Sequence, residues 1–126
     1  MNFDYATNHT PPIPVMKIRL GYPGEALTIG PLEAIIDTGA DATLIPRYLI
    51  DELEAPFVDD AWISSPWGEW MSVQTFTLDI GLEQVRLPAV RAVATEENDE
   101  IILGRNVLNK LHLTLDGPKQ ITMVNL

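Results

Sequence analysis

The sequence predicts a mostly β domain, a barrel or a sandwich, on three observations. Short apolar stretches alternate with polar residues along much of the chain, the period of half-buried strands. Ten prolines and eight glycines punctuate these stretches too often for long helices. The 126 residues, 46% of them apolar, suit one compact domain that buries a core without staples. Internal repeats and low-complexity tracts are absent from the sequence, which favours many short strands over a solenoid.

Residues 1–14 (MNFDYATNHTPPIP) read as an extended N-terminal arm, because Pro11, Pro12 and Pro14 favour polyproline-type backbone and forbid a helix. Residues 15–126 then form the single domain. From Val15, Met16, Ile18 and Leu20 face one side and Lys17 and Arg19 the other. Gly21–Gly24 reads as a turn, and Gly30-Pro31 as another. Leu32–Ile36 is a short apolar strand ending at Asp37, and Thr43–Ile45 resumes a strand. Pro46 suits a first helical position, with two helical turns over Arg47–Glu54.

Ala61–Ser65 and Glu69–Ile80 flank Pro66-Trp67-Gly68, the pattern of a hairpin. Leu82, Val85, Leu87, Val90 and Val93 supply more strand, with Pro88 marking an edge or a bulge. Glu96–Glu100 is an acidic loop and Ile101–Leu103 a short strand. Arg105–Leu111 allows two helical turns with Val107, Leu108 and Leu111 on one side. Leu113–Leu115 and Gln120–Val124 bracket Asp116–Lys119 as a last hairpin.

Composition excludes several classes of function. With no cysteine there are no disulfides, no cysteine-ligated zinc and no cysteine nucleophile. Eight Lys and Arg against eighteen Asp and Glu, a net charge of −10, oppose binding to a nucleic-acid backbone. The apolar runs fall far short of a membrane span. The N-terminus lacks a basic region followed by an apolar one, so a cytoplasmic location is expected. His9 and His112 stand alone, and the acidic run 96–100 lacks the spaced ligands of a calcium loop. Neither a metal nor a cofactor is expected.

Two blocks carry chemistry. In residues 34–45 (AIIDTGADATLI) an apolar strand leads into Asp37-Thr38-Gly39-Ala40, a polar residue and a return strand. Near the C-terminus Ile101-Ile102-Leu103-Gly104-Arg105-Asn106 precedes a helix-like stretch. In this order and spacing the blocks resemble retroviral-type aspartic proteases, the retropepsins, over roughly residues 15–115. The resemblance implies a retropepsin-like acid-protease barrel with a flap hairpin and one or two short helices, assembled as a homodimer.

The chemistry needs two carboxylates about one water apart, which cannot both ionise comfortably and so hold one proton between them. The ionised member takes a proton from water while the protonated member donates to the peptide carbonyl. Only one Asp-Thr-Gly is present, so the second Asp37 must come from a second copy of the chain across a twofold axis.

The resemblance makes Asp37, Thr38 and Gly39 catalytic, with Thr38 bonding across the axis and Gly39 donating to the carboxylate. It places Ala40, Asp41, Trp67, Gly68 and Ile102 against a peptide substrate, and pairs Asp41 with Arg105 in a buried ion pair. The flap falls at Trp62–Met71, where residues 63–70 (ISSPWGEW) are bulkier than the family's glycine-rich pattern. The implied function is an aspartic endopeptidase cutting between apolar residues. The alternative is a catalytically silent module that keeps the fold for dimerisation or peptide binding.

Overall fold

The computed structural model describes residues 1–65 and 67–125. In chain order the elements are β1 (Asn2–Asp4), β2 (Val15–Gly21), β3 (Ile29–Ile36), β4 (Thr43–Pro46), α1 (Arg47–Leu53), β5 (Phe57–Ser64), β6 (Trp70–Leu82), β7 (Val85–Thr95), β8 (Ile101–Leu103), α2 (Arg105–Leu108), β9 (His112–Asp116) and β10 (Ile121–Asn125).

Alternation closes the main sheet into a barrel. Strands pair in the order β2-β3-β8-β4-β7-β6, and β2 pairs again with β6 through Arg19–Gly21 and Gly81–Asp79. Six strands thus form a closed ring, with β5 attached outside it along β6. Met16, Ile18 and Leu20 of β2 point inward with Leu78, Ile80 and Leu82 of β6, all essentially inaccessible to solvent. Lys17 and Arg19 face outward, as the period of two requires. α1 buries Leu49, Ile50 and Leu53, and α2 buries Val107 and Leu108.

A separate three-stranded sheet has the order β1-β10-β9. The first residues are therefore paired with the last: Phe3 lies opposite Thr122, and the Val124 N–H donates to the Met1 carbonyl at 2.8 Å. Further along, Ala6 bridges Ile13 and packs with Val15 and Ile35 in a second small apolar cluster. Val15 and Ile35 point out of the barrel. The loop closed by the Ala6–Ile13 bridge, which doubles back rather than running extended, packs on them through Ala6 and Ile13.

Several boundaries differ from the expectation. Gly30-Pro31 is not a turn but lies inside β3, opposite an irregularity in β2 between Ile18 and Leu20. Gly30 has φ +119°, and a Cβ there would stand 2.7 Å from the Ile18 carbonyl oxygen. The Gly-Pro pair thus marks a bulge that only glycine accommodates. Pro88 sits in β7, an interior strand, where pairing with β6 shifts between Leu78 and Ile80. It is a bulge rather than an edge.

The helices and hairpins move by smaller amounts. Pro46 caps α1 rather than opening it, and α2 is a single turn ending at Leu108. β5 begins at Phe57, earlier than expected, because a register shift between Phe57 and Asp59 masks its alternation. Of the turn expected at Pro66-Trp67-Gly68, Pro66 lies outside the described residues. The flanking residues close the hairpin, with the Ser65 N–H on the Glu69 carbonyl at 2.7 Å.

One carboxylate is buried in the barrel wall. Asp79, 2% exposed, accepts the N–H of Ala89 at 2.7 Å, the N–H of Gly24 at 3.0 Å and Nε of Arg86 at 2.7 Å. Burial opposes its ionisation, but the two backbone donors and the guanidinium outweigh this and hold its pKa below the ordinary 3.8.

Candidate active site

Two parallel strands bring the two sequence blocks together. β3 and β8 pair as Ala34 with Ile101, Ile35 with Ile102 and Ile36 with Leu103. Both strands end at the same level, so Asp37 and Gly104 leave the sheet side by side. The Asp37 N–H donates to the Leu103 carbonyl at 3.1 Å, which anchors the start of the loop.

The loop then folds on its own carboxylate. The Ala40 N–H donates to the Asp37 carbonyl at 3.2 Å, and the Gly39 N–H to Asp37 Oδ1 at 2.9 Å. A Cβ on Gly39 would lie 3.2 Å from that same Oδ1, so a side chain there would crowd the carboxylate. Asp37 is exposed, and its Oδ2 accepts no hydrogen bond from the described residues. The geometry leaves one carboxylate oxygen held and the other open.

The second block clamps this loop. The Arg105 N–H donates to the Ala40 carbonyl at 2.8 Å, and Arg105 Nη1 to the Thr38 carbonyl at 2.9 Å. The guanidinium also pairs with Asp41 Oδ1. A Cβ on Gly104 would come within 2.3 Å of the Ala42 carbonyl oxygen, so only glycine fits beneath the loop. Thr43, fully buried, accepts the Gly104 N–H at 3.1 Å and donates to Asn106 Oδ1 at 2.7 Å. Asn106 Nδ2 in turn donates to the Arg91 carbonyl at 2.8 Å. Sequence reasoning missed Thr43 as a member of the site; its signal is a hydroxyl opening an otherwise apolar return strand.

Of the residues singled out in the sequence, Asp37, Thr38, Gly39, Ala40, Asp41 and Arg105 lie in this one constellation. The Asp41–Arg105 pair forms but is not buried. Its side chains are 87% and 44% exposed in the single chain, because Asp41 stands on the outer edge of the loop. Ile102 is half-buried on β8 and packs with Ile13 against the cluster of Ala6, Val15 and Ile35. Trp67, 86% exposed, and Gly68 stand at the tip of the β5–β6 hairpin. Among the described residues, no hydrogen bond joins that tip to the Asp37 loop.

A closed six-stranded β barrel with two short helices, carrying an Asp-Thr-Gly loop clamped by a Gly-Arg-Asn turn, defines a retropepsin-like aspartic protease fold. Residues 29–110 match the family described as "gag-polyprotein putative aspartyl protease", and the chain belongs to that family.

Solved structures share the fold. The EIAV protease complexed with the inhibitor HBY-793 is similar with a TM-score of 0.58 at 18% identity, over 78% of this chain and 86% of that one. A retropepsin-like aspartic protease from Rickettsia conorii gives 0.64 at 12% identity, over 98% and 90%. The retroviral protease-like domain of Ddi1 from Leishmania major gives 0.51 at 12% identity, over 89% and 90%. Among curated proteins, none matches the chain.

Proposed function

We propose that the chain is an aspartic endopeptidase whose active unit is a homodimer, with one Asp37 carboxylate from each copy. The observation that carries this reading is the loop itself: an exposed carboxylate, oriented through Oδ1 by the Gly39 N–H and clamped from behind by Arg105. A binding module has no need of a carboxylate so held. Family membership supports the same reading, and the silent alternative is not favoured.

In the proposed reaction a water lies between the two Asp37 carboxylates, which share one proton. The ionised carboxylate takes a proton as the water oxygen bonds to the peptide carbon. The other carboxylate donates its proton to the carbonyl oxygen. The tetrahedral species then breaks its C–N bond as the first carboxylate passes the proton it took to the nitrogen. The second carboxylate takes a hydroxyl proton, which restores the shared proton without a covalent enzyme intermediate. Thr38 bonds across the axis and holds the loops in register. Trp67, Gly68, Ala40, Asp41 and Ile102 contact the peptide.

Asp37→Asn tests the assignment. Amide and acid are nearly isosteric, so fold and assembly persist while the proton acceptor is lost. Cleavage of an unstructured protein between about pH 4 and 7 should fall by roughly 10²–10⁴-fold, and a statin-type analogue should block the wild type. Retention of more than about one per cent of activity in the variant contradicts the assignment.

A further inference from the structure

The β5–β6 hairpin carries the barrel's inward face out into solvent. Along β6, Phe76 and Leu78 point into the core, and alternation continues the same face through Gln74, Ser72 and Trp70. Cross-strand pairing adds Asp60, Trp62 and Ser64 of β5, which lie opposite Gln74, Ser72 and Trp70. Both tryptophans stand largely in solvent. Large apolar groups left open together mark a recognition surface.

The arrangement says what would fit there. Each tryptophan faces a serine, so Trp62 and Trp70 are diagonal neighbours, about 7–8 Å apart at the backbone. Among the described residues their rings do not pair; the aromatic contact is Phe57 on Phe76. That spacing admits one flat group between two rings, since stacked atoms need about 3.5–4.0 Å on each side. Asp60 lies two residues from Trp62 on the same face and joins no ion pair among the described residues. Asp59, on the opposite face, is already held by Arg91.

Further along the same face the chain fills such an arrangement itself. The Arg47 guanidinium sits 5.6 Å from the centre of the Phe76 ring, pairs with Glu96 and donates from Nη2 to Gln74 at 2.9 Å. Ring, carboxylate and guanidinium are all present there. Trp62, Trp70 and Asp60 repeat the rings and the carboxylate and lack the cation. The other arginines are engaged elsewhere: Arg86 with Asp79, Arg91 with Asp59, Arg105 with Asp41 and Arg19 with the Gly30 carbonyl. A chain carrying −10 draws a cation from outside.

We infer that this face is a specificity site for an arginine side chain of the peptide substrate, with the guanidinium between Trp62 and Trp70 and its charge against Asp60. This rests on the endopeptidase reading and names its substrate class, a peptide that is basic near the scissile bond. Arginine suits the slot better than lysine, because its planar, weakly hydrated guanidinium stacks on ring faces while an ammonium is compact and strongly hydrated.

Arginine against citrulline, its uncharged near-isostere, tests the site. A set of otherwise neutral peptides carries one arginine, or one citrulline, at successive positions on either side of an apolar pair. At the best position kcat/KM of the wild-type chain should favour arginine roughly tenfold. In D60N, W62A and W70A that ratio should collapse toward one, and W62F should keep part of it because a ring remains. The ratio compares two substrates on one protein, so it is independent of how much of each variant is folded.

Binding of the same peptides to the full-length Asp37→Asn chain separates this site from the protease assignment. All three tryptophans of the chain, at 62, 67 and 70, lie in the hairpin, so their fluorescence reports on it directly. Arginine-dependent binding with a tryptophan signal, but no cleavage of any peptide by the wild type, upholds the site and removes the protease. Cleavage indifferent to arginine at every position leaves the protease and overturns the site. An arginine preference that survives in D60N and W62A, or the absence of arginine-dependent binding, also overturns it.

Discussion

Arg105 supports the Asp37 loop more through geometry than through charge. Its guanidinium reaches the Thr38 carbonyl and Asp41, yet the Asp41 side chain is 87% exposed. An exposed pair contributes about 0–1 kcal/mol, so Arg105→Ala should lower stability only modestly, while peptide cleavage falls as the loop loses its clamp. Thermal unfolding and kcat/KM measured together check this; a large loss of stability with intact kcat/KM contradicts it.

Asp79 behaves in the opposite way. Its pKa is held below 3.8 in the fold, so the ionised form is the stabilised one. That stability is fully present above about pH 3.8 and is lost as pH falls through the lower folded value. Asp79→Asn leaves the Gly24 and Ala89 donors and Arg86 facing an amide, at a cost of about 1–3 kcal/mol. Thermal unfolding between about pH 6 and 2.5 should show a lower, flatter profile for the variant. An unchanged slope in acid contradicts the assignment.

At the scale of elements, the β5–β6 hairpin is defined by what it leaves exposed. Trp62 and Trp70 are 67% and 66% exposed and share one face, since Trp62 pairs with Ser72 and Ser64 with Trp70. With so little burial, Trp70→Ala should change stability by no more than about 0.5 kcal/mol. If the hairpin closes over substrate, the same change should raise KM for peptide. Unchanged kinetics with lowered stability would make Trp70 a packing residue instead.

Local patterns made much of this fold legible. The Met16-Ile18-Leu20 alternation identified β2, and the strand–Asp37–return-strand pattern located the loop, because each signal lies within a few residues. Long-range pairing was not legible. Nothing in Pro88 reveals that its strand lies between β4 and β6 rather than at an edge. Nor does Asp79, spaced as a solvent-facing strand residue, announce the loop at Gly24 that covers it. The Gly30-Pro31 pair misled because the same residues punctuate turns and bulges. At the site, Asp37, Gly39 and Arg105 were legible as motif members, while Thr43 and the exposure of Asp41 depend on how the loop sits over β8.

At the scale of the whole molecule, each chain carries −10, so association brings like charges together and weakens with falling ionic strength. The proposed mechanism nevertheless requires that association, because one chain holds one Asp-Thr-Gly. Mixing wild-type chains with the Asp37→Asn variant, at moderate salt and well above the dimer Kd, tests this most directly. In a shared-carboxylate dimer, a heterodimer has one acid and one amide and does not cleave. Activity should then fall as the square of the wild-type fraction, so an equal mixture retains roughly one quarter of the all-wild-type rate at the same total concentration. A rate that falls in simple proportion to the wild-type fraction, retaining about one half, would mean that each chain cleaves with its own Asp37 and would contradict the shared site.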